Sequence, residues 1–133
     1  MAAKALKPPA FETGRPQQGA AGEDLACGHL QRLGMRVLER NFRCRVGEID
    51  LVARDGDTVV FVEVKERGGA SHGAAVEAVT PAKRLRVVRA ARIYAAVQGL
   101  SEVPLRFDVV AIDWTAEGPR VRHETGAFDE EGR

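Results

Sequence analysis

Two cysteines, Cys27 and Cys44, with no Cys-x-x-Cys pair, leave no disulfide framework and no zinc-ligand spacing. The three histidines, His29, His72 and His123, are too scattered for a metal cluster. No apolar run approaches the ~20 residues that a membrane span needs, so no membrane association is expected. The opening Met1-Ala2-Ala3-Lys4-Ala5-Leu6-Lys7-Pro8-Pro9 lacks the apolar core of a signal peptide. The expected location is therefore the cytoplasm. There is no GxxxxGK[ST] phosphate loop, no internal repeat and no low-complexity tract. Charge of one sign is lacking too: 20 Lys and Arg face 19 Asp and Glu, for a net charge of +1.

What is present is an ordinary globular composition, 44% hydrophobic and 29% charged over 133 residues, enough for one domain. The near-zero net charge hides a pattern. Arg36, Arg40, Arg43 and Arg45 crowd one segment, and Lys83, Arg84, Arg86, Arg89 and Arg92 crowd another. Acidic residues gather between them and at Asp129-Glu130-Glu131. A basic rim around an acidic centre suits a polyanion whose phosphate is bridged to carboxylates by a metal.

The acidic centre is a hairpin. Gly47-Glu48-Ile49-Asp50-Leu51-Val52-Ala53 and Thr58-Val59-Val60-Phe61-Val62-Glu63-Val64-Lys65 are strand-like runs joined by Arg54-Asp55-Gly56-Asp57. Alternation puts Ile49, Leu51, Ala53, Val60, Val62 and Val64 on one apolar face. The other face carries Glu48, Asp50, Val52, Val59, Phe61, Glu63 and Lys65. A turn at Asp55-Gly56 sets Glu48 opposite Glu63, with Asp50 diagonal to it. A turn at Gly56-Asp57 sets Asp50 opposite Glu63. Either register brings Asp50 and Glu63 within roughly 5–8 Å. Facing like charges destabilise a hairpin, and a divalent cation would offset the repulsion. Lys65 then stands near the metal, able to serve a water nucleophile or steady a phosphate. The alternative is a solvated strand face with cross-strand ion pairs. Val52, Val59 and Phe61 on the same face favour a cleft edge instead, where unpaired charge is costly.

A helix is expected from about Gly19 to Leu33, ending at Gly34, with Ala26, Cys27, Leu30 and Leu33 as its apolar stripe. Glu23 falls on or beside that stripe at the helix start. It either answers the helix dipole or serves as a third acid. Met35 to Arg43 reads as a strand, Met35, Val37 and Glu39 on one side. Glu66 to Gly73, with three glycines, reads as a mobile loop beside the site, either a plain connector or a cover for bound substrate. Thr80-Pro81 starts a second helix, which ends before Gly99. Its expected apolar stripe is Leu85, Val88, Ala91, Tyr94 and Ala95. Its basic residues, with no acid among them, point to phosphate more than to a merely solvated face. Pro104 to Ile112 reads as a strand buried on both faces, with Arg106 and Asp108 either approaching the site or, in the favoured reading, forming a structural ion pair. A short edge strand near Arg120–His123 and a loose acidic end follow.

Asp50-Leu51-Val52-Ala53, a hairpin, then Glu63-Val64-Lys65 resembles the D…(D/E)xK signature of restriction-endonuclease-like nucleases. It is similar in particular to archaeal Holliday-junction resolvases, which carry an acid on the first helix as Glu23 does here. The fuller set is Gly22-Glu23, Arg40-Asn41-Phe42-Arg43, Gly47-Glu48-Ile49-Asp50-Leu51, Phe61 to Arg67, Glu77-Ala78-Val79, Lys83-Arg84 and Arg106-Phe107-Asp108. By it the chain is identified as a member of the bacterial YraN-type (UPF0102) family.

The resemblance implies an α/β fold, a restriction-endonuclease-like central mixed sheet flanked by helices. The resemblance covers about Gly19 to Ile112, within a nuclease-like domain at 19–115; the prolines and lack of apolar periodicity at 1–18 read as a mobile tail, and 116–133 as a C-terminal extension. Asp50, Glu63 and the Val64 carbonyl would hold Mg²⁺ or Mn²⁺, with Glu23 as an outer or second-metal acid and Lys65 as the catalytic lysine. Arg43, Arg67, Lys83, Arg84 and Arg86 would hold the nucleic-acid backbone. The expected activity is DNA phosphodiester hydrolysis on branched or structured substrates, by a homodimer. Two alternatives stand beside it. One is a catalytically silent nucleic-acid-binding module. The other is an interaction subunit that docks an acidic partner on the basic helix.

Overall fold

The computed structural model describes residues 20–68 and 73–133. The expected tail at 1–18, and the part of the glycine-rich loop from Gly69 to His72, lie outside the described residues. The elements run α1 (Ala20–Arg32), β1 (Arg36–Cys44), β2 (Gly47–Asp55), β3 (Thr58–Gly68), a 3-10 turn (Ala75–Ala78), α2 (Pro81–Gln98), β4 (Leu105–Thr115) and β5 (Gly118–Phe128). The strands form one mixed sheet in the order β1-β2-β3-β4-β5. Only β3 and β4 are parallel, and the connection between them carries the 3-10 turn and α2. This is the α/β architecture read from the sequence, with one helix on each face. No helix among the described residues is long and apolar enough to cross a membrane.

Alternation explains the two cores. Leu51, Ala53, Val60, Val62, Val110 and Ile112 pack with Ala26 and Leu30 of α1. Val52, Val59, Phe61, Phe107 and Val109 pack with Val87, Val88, Ala91 and Tyr94 of α2. Tyr94 meets Phe42 and Phe61 edge-on, at ring-centroid distances of 5.2 and 5.8 Å. β4 is buried on both faces from Phe107 to Asp113, as a strand between two neighbours and two helices must be.

Several expectations are corrected, among them Leu33, which is 56% exposed rather than on the buried stripe of α1. Ile49 does not share a face with Leu51; it packs in the α2 core with Phe42. Strict alternation fails between Ile49 and Leu51, and opposite them Asn41, between the paired residues Arg40 and Phe42, takes a left-handed backbone with φ 56°. The β1–β2 register also shifts between Val37 and Glu39, which carries buried Glu39 to Val52 on the α2 face. Leu85 does not join the buried stripe of α2 and is 39% exposed, whereas Val87 is fully buried. Arg84 takes the first-turn place in that stripe, three residues before Val87. Its guanidinium donates to the carbonyls of Val79 and Val76 at 2.9 and 3.1 Å. The final strand is longer than an edge near Arg120–His123, running eleven residues to the buried Phe128.

α2 begins and ends as its sequence dictates. Thr80 caps it through Lys83 N–H, Pro81 fills the first turn, and Gly99 closes it in the left-handed conformation. At the other face, fully buried Asp108 accepts from Arg106 Nε and Nη2 at 2.9 and 3.0 Å and from Gly126 N at 2.9 Å. His123 Nε2 lies 2.8 Å from Asp108, and His29 Nε2 of α1 lies 3.0 Å from His123 Nδ1. Burial opposes ionisation of Asp108, but the bonds from His123, Arg106 and Gly126 hold its pKa below the usual value.

Gly22 is a point of close approach. A Cβ there would meet Glu66 Cδ at 2.5 Å, and Glu66 Oε1 accepts a 2.9 Å bond from the indole of Trp114. Gly22→Ala is therefore expected to push Glu66 off Trp114, the single tryptophan, at a cost of about 1 kcal/mol. Its emission spectrum should change, whereas Gly99→Ala, destabilising by a similar amount, should leave it unmoved.

Candidate active site

The β2–β3 hairpin turns on Gly56-Asp57, because Asp55 pairs with Thr58. That register directs Asp50 at Glu63, the second of the two arrangements the sequence allowed. The backbone ladder between the strands runs from Asp55·Thr58 to Leu51·Val62 and stops. Beyond it the Asp50 side chain replaces the ladder: its Oδ2 accepts from Val64 N–H at 2.8 Å. The strands part where the two acids meet, and a carboxylate takes a backbone amide.

Asp50 and Glu63 face α2. Glu63 is buried, its side chain 7% exposed, and Oε1 lies 3.4 Å from Lys83 Nζ. Its Oε2 is buried with no hydrogen-bond partner. Burial first, then the charge of Asp50, push the Glu63 pKa up to about 9, against the pull of Lys83. Burial likewise raises Asp50, opposed by the Val64 amide and by Lys83, and Glu48 adds to the rise. Both shifts point the same way, toward one proton shared between the two carboxyl groups.

Glu23, in the first turn of α1, is buried and held by Asn41 Nδ2 at 3.2 Å, with Arg40 Nη2 at 3.7 Å. Burial and the field of Asp50 raise its pKa, so it stands within electrostatic reach of the pair. Lys65 follows on the same strand and is exposed. The structure thus brings Asp50, Glu63 and Lys83 together and sets Glu23 and Glu48 around them. Among the described residues no group of three or more acid, histidine or cysteine side chains closes on one cation-sized point.

The donors fit a hard divalent ion in its commonest protein setting, one or two carboxylates with the remaining positions left to water or substrate. The sign of that fit is a buried Glu63 carboxyl with Oε2 reached by no donor group, bonding only to Lys83 and, through a shared proton, to Asp50.

The basic residues divide. Arg67 is not available to a phosphate. Its side chain is buried, with Nε and Nη2 on Asp113 at 2.8 and 3.3 Å and Nη1 on the Gly73 carbonyl. Arg84 is likewise committed to the Val76 and Val79 carbonyls. Arg43 lies 3.3 Å from Glu48 and half exposed. Arg86 and Arg89 are exposed on α2. Lys83, read in the sequence as a backbone contact, proves to be the cation on the acid pair. Asn41 stood in the Arg40-Asn41-Phe42-Arg43 motif with no role assigned, and its left-handed backbone and its bond to Glu23 could not be read from that. A groove of about 860 Å³ lined by Arg92, Leu100, Leu105 and Phe128 lies at the other end of β3 and β4, away from the acids.

Glu39 is a second buried acid without a partner on Oε2, its pKa raised by burial to about 7, beside Tyr94. A carboxyl with a raised folded-state pKa binds more protons folded than unfolded, so stability falls as pH rises from the unfolded value toward the folded one. The protein without metal should lose stability from pH 5 to pH 9. Glu39→Gln should remove the part below about pH 7 and Glu63→Gln the part continuing to about pH 9. Each should raise stability at pH 8 by about 1–3 kcal/mol, read by urea titration.

The sequence model that matches residues 22–112 is that of the "Uncharacterised protein family UPF0102". A UPF0102 protein of Geobacter sulfurreducens is 49% identical over 112 residues, covering 84% of this chain and 88% of the relative. One of Anaeromyxobacter dehalogenans is 48% identical over 120 residues, 90% of each chain. One of Herminiimonas arsenicoxydans is 51% identical over 104 residues, 77% of this chain and 82% of the relative.

Proposed function

The chain belongs to the uncharacterised protein family UPF0102, and we propose that it is a metal-dependent endonuclease with a restriction-endonuclease-like fold, acting on branched or otherwise structured DNA. One observation carries the reading: a buried Glu63 and a half-buried Asp50 are set against each other where a β-ladder opens, and Glu63 Oε2 meets no donor group. Such a pair destabilises the metal-free fold, and the Val64 amide and Lys83 offset only part of that cost, which is the mark of a site kept for a ligand.

Asp50 and Glu63, with the Val64 carbonyl, would hold Mg²⁺ or Mn²⁺. The bound ion would supply polarisation of a phosphate oxygen and a lowered pKa for a bound water. Asp50 is oriented for this by the Val64 amide, and burial keeps bulk water from Glu63. Lys65, exposed two residues beyond Glu63, would meet the attacking water or a phosphate oxygen with its ammonium. Glu23, fixed by Asn41, would act as the outer acid. Arg86 and Arg89 would track the backbone along α2. A two-fold homodimer is part of the same proposal, read by light scattering.

A second reading is a nucleic-acid-binding module without turnover. It draws on the absence, among the described residues, of a third donor closing on the pair. One assay separates the two: incubation with linear, flap and four-way DNA in Mn²⁺ or Mg²⁺. The nuclease cleaves at least one substrate, loses activity in chelator, and loses at least ~10²-fold in Asp50→Asn, Glu63→Gln and Lys65→Met. Salt-sensitive binding with no cleavage of any substrate supports the module instead.

A further inference from the structure

The cation that touches the acid pair comes from α2, not from the strand. Lys83 Nζ lies 3.4 Å from Glu63 Oε1 and its field reaches Asp50. It sits in the first turn of α2, where its own N–H is bonded to Thr80 Oγ1 and where no acidic residue is present. That turn is the positive end of the helix dipole, the place that disfavours a cation. The helix therefore gains nothing from a lysine there; the acids do. Arg84 beside it is turned to backbone carbonyls. The Lys83 side chain is one-third exposed, so its ammonium can reach solvent without unpacking the core.

Resting on the metal-site reading above, we infer that Lys83 is a displaceable counter-cation: it neutralises the Asp50–Glu63 pair in the metal-free protein and, once a divalent ion enters, is released to a phosphate oxygen of the substrate. Lys83 is on Glu63 Oε1 and Oε2 is left over, so a metal ion on Oε2 would stand one carboxylate's width from the ammonium and repel it, at an end of α2 already positive. An arriving metal ion must displace the ammonium, and the nearest anion then offered to it is the phosphate brought by that metal. Metal occupancy and the Lys83–phosphate contact are thereby coupled, each favouring the other.

The test uses the full chain and Mn²⁺ alone, with binding followed by calorimetry, and then DNA binding in non-cleaving Ca²⁺ or in chelator. Lys83→Met is expected to bind Mn²⁺ on the order of 10-fold more tightly than wild type, with Lys83→Arg returning toward the wild-type value. In Ca²⁺, Lys83→Met should weaken DNA binding and lower the salt slope by about one contact. In chelator the two proteins should bind DNA alike, because Lys83 is then engaged with Glu63. Unchanged folding is checked by urea titration. Equal, measurable Mn²⁺ affinities in wild type and Lys83→Met would overturn the counter-cation while leaving the metal site standing. Equal losses of DNA affinity with and without Ca²⁺ would reduce Lys83 to an ordinary phosphate contact and overturn the coupling. Mn²⁺ binding by neither protein would overturn the metal site and this inference with it.

Discussion

Two carboxyl groups forced together, Glu63 buried and Asp50 half-buried, set the terms for the rest of this molecule. A hairpin could relieve Asp50 and Glu63 by slipping one residue, or by turning one of them to solvent. Neither happens, because the strand faces that carry Val52, Val59 and Phe61 toward α2 carry the acids with them. The register that buries the valines also buries Glu63 and draws Asp50 in beside it. What the chain can still adjust is protonation and a nearby cation, and it uses both: Glu63 keeps a proton at neutral pH, and Lys83 closes on its exposed edge.

The surroundings of the pair follow from that constraint. The ladder between β2 and β3 must open for Asp50 to reach the Val64 amide. The neighbouring strand must bend to follow β2, and Asn41 bends it with a left-handed residue whose side chain then meets Glu23. One irregularity thus places two acids, one through each strand. α2 must start beside the pair to bring Lys83, which the Thr80 cap and Pro81 arrange.

Much of this was legible in the residues. Regular alternation on β3 and β4 gave their faces, because a strand covered on both sides has no freedom to do otherwise. Thr80-Pro81 and Gly99 marked α2 because capping chemistry is local. Asp50 and Glu63 were readable as a pair in either hairpin register. What escaped depended on long-range fit. The bulge in β1 and the backbone of Asn41 are set by β2, not by their own neighbours, and with them went the face of Ile49. Arg67 looked like a phosphate ligand because nothing nearby announces Asp113, forty-six residues on. Leu85 was misplaced because an arginine, Arg84, can fill a buried-stripe position when carbonyls wait at its end. Lys83 was seen as basic and exposed; that it answers Glu63 needs the crossover between β3 and β4.

The bond from His29 to His123 joins the last turn of α1 to β5, and Asp108 continues the chain into β4. The first turn of the same helix is held by Arg40, on Asp24 and Glu23, and by Asn41 on Glu23. α1 is thus a strut pinned at both ends, and the far pin reaches Glu23 through a rigid rod of under four turns. Positions 29 and 123, separated by 94 residues of sequence, then form one unit of inheritance. Drift at either would tilt the strut unless the other drifted to match.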